Sequence, residues 1–240
     1  MAGAALMNQG VKAFAAPSES IQVAIDASKA GAPVNPMIFG GYMEPATTGV
    51  WAEVLSDRKF CNPVVPAPAS APQQAFSGFR RRGEPIRPVG SAGAVEMDTV
   101  KPFVGKHSPR IKVSGTEPCG IAQSKLRLDG GKAYEGRVYL CGHPSAKVVV
   151  RLVWGSGPGD SQSVTIPALA REYRKFPFKF TPAVNTEEGR LEIVATGSGT
   201  FHVGCASLMP AGNTQGFHTN MVKLYKEAGF KMMKWPGGNF

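Results

Sequence analysis

Two polar residues stand at the ends of apolar runs, the kind of position where ligand-binding groups collect. Glu44 closes "MIFGGYM", and Asn239 follows "FKMMKWPGG". In α/β barrels the functional groups gather at the C-terminal ends of the strands. Gly40, Gly41, Gly237 and Gly238 carry no Cβ, so a ligand can approach the backbone closely there. Taken singly, Glu44 is an ordinary strand-end carboxylate and Asn239 a turn former; sharing one kind of position, they read together as a binding pair. Catalysis is another matter. No second carboxylate can be placed beside Glu44 for acid–base work. Glu53 and Asp57 fall on a stretch of helical spacing, facing solvent or starting a loop, and Glu96, Glu117 and Glu187 lie in strand-rich sequence. His107, His143, His202 and His218 are scattered, and no Ser or Cys has a His partner that would make it a nucleophile. No catalytic residue is therefore assigned within this chain.

The elements that would position Glu44 and Asn239 lie at the two ends of the sequence. "IQVAID" alternates as a strand, with Ile21, Val23 and Ile25 on one side. "MIFGGYMEP" is a nearly continuous apolar strand, and "VWAEVLSDRKF" carries Val50, Trp51, Val54 and Leu55 at helical spacing. Near the other end, "GNTQGFHTNMVKLYKEAGF" puts Phe217, Met221, Leu224 and Ala228 on one helical face. Asn213 or Thr214 is placed to cap its start and Gly229 to close it. The buried strand "FKMMKW" follows, then Pro236 and two glycines. Helix followed by buried strand is the repeating unit of a parallel α/β fold.

Between these flanks the pattern changes twice. "CNPVVPAPASAPQQ" is rich in proline and carries no charge, which marks a linker or extended surface segment over 61–94. From 95 to 210 short alternating runs are separated by "DGG", "GSGPGD", "NTEEG" and "GSG". They indicate a β-sandwich or jelly roll of independent size. An all-β block thus interrupts an α/β fold whose pieces, 21–60 and 211–240, are too short for a (β/α)₈ barrel of about 250 residues. The expected fold class is mixed: a jelly roll inserted into the start of a truncated (β/α)₈ barrel. The Pro-Gly-Gly bend would lead onward into the rest of it.

Composition narrows the function. Glycine and proline, 29 and 20 of 240 residues, favour turns and a β-rich body. The net charge of +10 is spread along strands as in "AKVVVRLVW", the mark of a solvated sheet face, and no nucleic-acid motif accompanies it. No stretch reaches the length of a membrane span. Cys61, Cys119, Cys141 and Cys205 are widely spaced, without Cys-x-x-Cys or a neighbouring His pair, which argues against zinc and favours buried free thiols over disulfides. No metal or cofactor is expected. Residues 1–20 read as a signal-peptide remnant or a disordered tail: "AFA" fits a small-x-small cleavage site, while the basic start is absent. Export to the periplasm or medium is favoured over a cytoplasmic location.

"NPMIFGGYMEP…GVWAEVLSDRKF" and "GCASLMPAGNTQGFHTNMVKLYKEAGFKMMKWPGGNF" resemble the N-terminal portion of glycoside hydrolase family 51, the α-L-arabinofuranosidases. The β block resembles a carbohydrate-binding jelly roll, with "DGGKAYEGRVYL" as its glycine-then-tyrosine strand. The resemblance implies a (β/α)₈ barrel with a β-sandwich to which "IQVAID" contributes, and retaining hydrolysis of arabinose-containing polysaccharides or oligosaccharides in hemicellulose and pectin. It gives Glu44 and Asn239 hydrogen bonds to the sugar in the −1 subsite, beside Gly237 and Gly238. The two glutamates of a retaining enzyme, about 5–5.5 Å apart, would lie beyond Asn239. Two residues depart from the family pattern. Lys234 stands where arginine is usual, keeping the charge without the planar fork, and Pro45 follows Glu44 in place of His or Asp. An endoglucanase on the same framework is an alternative. So is a non-catalytic carbohydrate-binding module, for which Tyr134, Tyr139, Trp154 and Tyr173 are the candidate sugar-facing aromatics.

Overall fold

The computed structural model describes residues 23–43, 49–64, 85–91 and 93–235. The expected site residues Glu44, Gly237, Gly238 and Asn239 lie outside these, as do residues 1–22 and most of the proline-rich segment. In chain order the strands are β1 (Gly40–Tyr42), β2 (Arg87–Val89), β3 (Val95–Asp98), β4 (Ser108–Leu128), β5 (Tyr134–Gly142), β6 (Ala146–Val153), β7 (Ser161–Thr165), β8 (Arg174–Phe180) and β9 (Thr186–Pro210). Helix α1 (Thr219–Glu227) and strand β10 (Met232–Lys234) follow.

The eight strands β2 to β9 form one connected antiparallel sheet folded into a sandwich. The fold depends on two long strands, β4 and β9, which pair with each other along most of their length. The first half of β9 pairs on its other side with β6, and the second half with β5. One layer is therefore β2, β4, β9, β6 and β7; the other is β3, β4, β9, β5 and β8. Gly115, Gly197 and Gly199 lie where β4 and β9 pass between layers, with φ of 97°, 100° and 99°, a region L-residues with a Cβ avoid. "GSG", expected as a turn between two strands, is instead a bend within one strand. Alternation then builds the core. Val148, Val150 and Leu152 from one layer meet Val138, Leu140, Phe201 and Val203 from the other.

The first flank departs from its sequence pattern. The expected strand "IQVAID" is unpaired where it is described, and Val23 and Ile25 are exposed; without a neighbouring ladder its alternation has nothing to bury against. "MIFGGYM" is only partly strand, because Asn35 and Pro36 start a short 3-10 turn in which Asn35 Oδ1 accepts from Met37 N at 3.0 Å. The helix expected over 50–60 does not form. This segment is extended and irregular against β9, with Val54 N donating to Leu208 O and Ala206 N to Arg58 O, both at 2.9 Å. It contributes Leu55, Phe60 and Val64 to the sandwich core.

The second flank follows its pattern more closely. Helix α1 ends with Gly229 at φ 69°, the left-handed closing residue expected. It begins at His218 rather than Asn213 or Thr214, because Asn213 Oδ1 accepts from Gly216 N at 2.8 Å and closes a turn first. Strand β10 pairs in parallel with β1, Gly40 opposite Met232 and Tyr42 opposite Lys234. That is the pairing of a parallel α/β unit; no closed barrel is present among the described residues. No helix among them is long and apolar enough to cross a membrane.

Candidate functional site

Because β1 and β10 run in parallel, both chains leave the ladder at the same end. Met43 N donates to Lys234 O at 3.1 Å, carrying the ladder one residue past Tyr42. Next to this end stands a cluster of three aromatic rings. Trp51 stacks on Phe217 with centroids 4.7 Å apart and planes 17° apart. Trp235 meets both edge-on, at 5.6 Å from Trp51 and 5.8 Å from Phe217. Each ring comes from a different stretch of sequence. Backbone pairing brings the first two together: Ala52 N donates to Gly216 O and His218 N to Val50 O, both at 2.9 Å. Trp51 remains 40% exposed, so part of the indole is available to a ligand.

Trp51 also borders a cleft of about 790 Å³ against strands β5 and β8, whose polar lining includes Arg58, Glu135, Arg137, Lys175 and Asn213. Asn213 Nδ2 donates to Glu135 Oε1 at 3.0 Å and to Pro210 O at 2.9 Å, which fixes the carboxamide at the rim. An indole beside several converging hydrogen-bonding groups suits a ligand with an apolar face and polar edges. The arrangement supports recognition; among the described carboxylates around it, none is a free acid–base pair.

Glu53 shows why. It does not face solvent: Oε1 accepts from Leu208 N at 2.9 Å and Leu55 N at 3.2 Å, and Oε2 accepts from Ser207 Oγ at 2.7 Å. It clamps the segment to β9. Asp57 starts a loop as expected, accepting from Cys61 N and Asn62 N at 2.8 Å. His202 Nε2 lies 2.7 Å from Asp98 Oδ2, and His107 Nε2 is 2.9 Å from Phe60 O. The hydrogen bond from Val100 N, and next the one to His202, hold the Asp98 carboxyl below its ordinary range against the opposing effect of burial. The four cysteines are unpaired, and burial pushes the thiols of Cys119, Cys141 and Cys205 upward, so they stay protonated. No group of three or more His, Cys, Asp or Glu among the described residues is arranged to hold a metal ion.

The aromatics proposed from the β block are not a binding platform. Tyr134 and Trp154 are in the core, and Tyr134 Oη accepts from Asp129 N at 2.9 Å. Tyr139 and Tyr173 are covered by Phe103, at 4.8 Å and 5.0 Å between centroids. Burial also drives the Tyr173 phenol strongly upward. Sequence reasoning passed over Trp51 and Phe217 because helical spacing explained both. The turn cluster "NTQG" was the available sign that the chain reverses before α1 and presents Phe217 outside it.

No family model matches the sequence, and no curated protein matches it. Solved structures do. An arabinose-bound α-L-arabinofuranosidase, MgGH51, is 16% identical with a TM-score of 0.59, over 85% of this chain and 35% of its own. TmCBM61 in complex with β-1,4-galactotriose is 15% identical with a TM-score of 0.42, over 52% and 88% of the two chains. The CBM22-1 xylan-binding domain of Paenibacillus barcinonensis Xyn10C is 14% identical with a TM-score of 0.42, over 55% and 88%. This chain spans about a third of the length of the arabinofuranosidase it matches. That likeness extends beyond the β block, so the fold in common includes chain outside the sandwich.

Proposed function

We propose that this chain supplies the opening strands and an inserted sugar-recognition sandwich of a retaining glycoside hydrolase, an α-L-arabinofuranosidase acting on side chains of hemicellulose or pectin. Glu44 and Asn239 hydrogen-bond the arabinofuranosyl ring, and Gly237 and Gly238 let it approach the backbone. The observation that carries the reading is the parallel register of β1 and β10, Tyr42 opposite Lys234. Glu44 follows one of these residues by two positions and Asn239 follows the other by five. The acid–base and nucleophile glutamates are not among the residues of this chain, and a polysaccharide substrate fits export to the periplasm or medium.

Two measurements test this. The purified chain should release no product from an aryl α-L-arabinofuranoside above a heat-killed control; turnover would place the catalytic pair within it. Calorimetry should show arabino-oligosaccharide binding weakened about 10- to 100-fold by Glu44→Ala and by Asn239→Ala, since a lost buried hydrogen bond costs about 1–3 kcal/mol. Unchanged binding in both variants would reduce these residues to turn formers.

A second reading, a carbohydrate-binding module without catalysis, is favoured by one observation: the half-exposed indole of Trp51 beside the polar cleft. It predicts that Trp51→Ala abolishes binding while Glu44→Ala leaves it intact.

A further inference from the structure

Four of the cations that alternate along the strands, Arg87, Lys125, Arg151 and Arg190, line one cleft on the outer face of the β2–β4–β9–β6 layer. The ladders place Arg87 opposite Ala122, Ala122 opposite Glu192, and Glu192 opposite Arg151. These four residues form a single row across β2, β4, β9 and β6, about 14 Å long at the usual strand spacing. Their sequence neighbours Ile121, Ile193 and Val150 point into the core, so the row faces outward. Ala122 is its small member, and a cleft of about 590 Å³ opens over the row, with Ser124, Lys125 and Arg190 also in its lining.

Part of this charge is accounted for. The Glu192 side chain is only 3% exposed. Arg151 Nε donates to Glu192 Oε2 at 2.7 Å, and Arg190 Nε lies 2.7 Å from Oε1. A buried carboxylate needs such partners. Arg87 and Lys125 have no such reason to be there. Both are exposed, and neither makes an ion pair with any described residue. Lys125 has a φ of 56° at a bulge where the β4–β9 register shifts between Gln123 and Leu126. A bulge re-aims a side chain, and a left-handed lysine is a strained way to hold one in place. Among the described residues the cleft thus carries four cations against one carboxylate that is already fully engaged.

We propose that this cleft binds an acidic glycan, with uronate carboxylates taken by Arg87, Lys125 and the remaining guanidinium N–H groups of Arg151 and Arg190. Guanidinium forks match planar carboxylates, and charge spread along a row suits carboxylates repeated along a sugar chain better than a single phosphate. The inference rests on the carbohydrate reading above and extends it from a neutral pentose to a charged backbone sugar.

The test is calorimetry of the full chain, at low salt, with four probes: oligogalacturonate, a neutral galacto-oligosaccharide of equal length, polyglutamate and an arabino-oligosaccharide. Oligogalacturonate should bind at least about tenfold tighter than the neutral oligosaccharide and than polyglutamate. The double variant Arg87→Gln/Lys125→Gln should lose about tenfold or more of that affinity, with an unchanged melting temperature because both residues are exposed and neither is ion-paired to a described residue. Absent oligogalacturonate binding, wild-type affinity in the double variant, or equal binding of polyglutamate overturns the proposal. Uronate binding as expected, with no arabino-oligosaccharide binding, supports the cleft and counts against the arabinofuranosidase reading alone.

Discussion

The sandwich and the strand–helix–strand flanks are held together by different means. The sandwich has one continuous core, in which Leu140, Leu152, Phe201 and Val203 are fully buried. Helix α1 has no buried residue, and β1 meets β10 over three residue pairs. Strand β1, helix α1 and β10 attach through the Trp51, Phe217 and Trp235 rings and a few backbone hydrogen bonds, whereas residues 50–64 are anchored in the core by Leu55, Phe60 and Val64. Stability is concentrated in the sandwich, while the residues read as the arabinose site border the weakly held flank. Binding segments are commonly drawn from the low-stability end of a structure.

The sharpest way to break this comparison is to remove equal groups from each region. Leu152→Ala should cost about 2–5 kcal/mol, as cavities in a well-packed core do. Leu224→Ala, on α1 and 56% exposed, should stay within about 0.5 kcal/mol. Urea denaturation of both variants reads the difference directly. Similar losses would mean that the flank is packed as tightly as the core.

Much of the sandwich was legible because its chemistry is local. In "AKVVVRLVW" the buried Ala146, Val148, Val150 and Leu152 alternate with outward Lys147 and Arg151, and a period of two needs no knowledge of the partner strand. The segment 50–60 was not legible. Its helical spacing was a coincidence of side chains whose partners lie about 150 positions away, with Glu53 reaching Ser207 and Leu208. Only tertiary pairing could reveal that Trp51 and Phe217 share a stack. Of the expected site, Glu44 and Asn239 fall outside the described residues, and what is visible is the parallel strand pair that precedes them.

A smaller effect sharpens the boundary between the regions. Glu53→Ala leaves Leu208 N and Ser207 Oγ without their acceptor, at about 1–3 kcal/mol. It should loosen residues 50–58, so hydrogen exchange should rise at Val54 before it rises in β6. Uniform exchange across both regions would show that the segment is integral to the sandwich rather than clamped on.

The smallest effect is on acid stability. Asp98 has its carboxyl lowered in the folded state from an ordinary value of 3.8. It therefore stabilises the fold at pH above that value, and the contribution is lost as pH falls through the lower, folded value. Asp98→Asn keeps an acceptor for Val100 N and removes the titration. Its urea midpoint should fall less steeply than the wild type's below about pH 4, and identical slopes would remove Asp98 from the acid response.

Strand β9 has a consequence for how the protein is made. It is the last strand of the sandwich and the common neighbour of β4, β5 and β6. On the ribosome, β4 is complete at Leu128, yet its central partner is not finished until Pro210. At about 5–20 residues per second that interval is on the order of ten seconds. During it β4, β5 and β6 can pair only with β2 and β3, β8 and β7 respectively, and the edge of each that β9 will cover stays open. Synthesis rate and solubility are thereby linked: a pause between codons 128 and 186 lengthens the exposure, and the arginines and lysines alternating along β6 and β8 keep the waiting strands apart by charge.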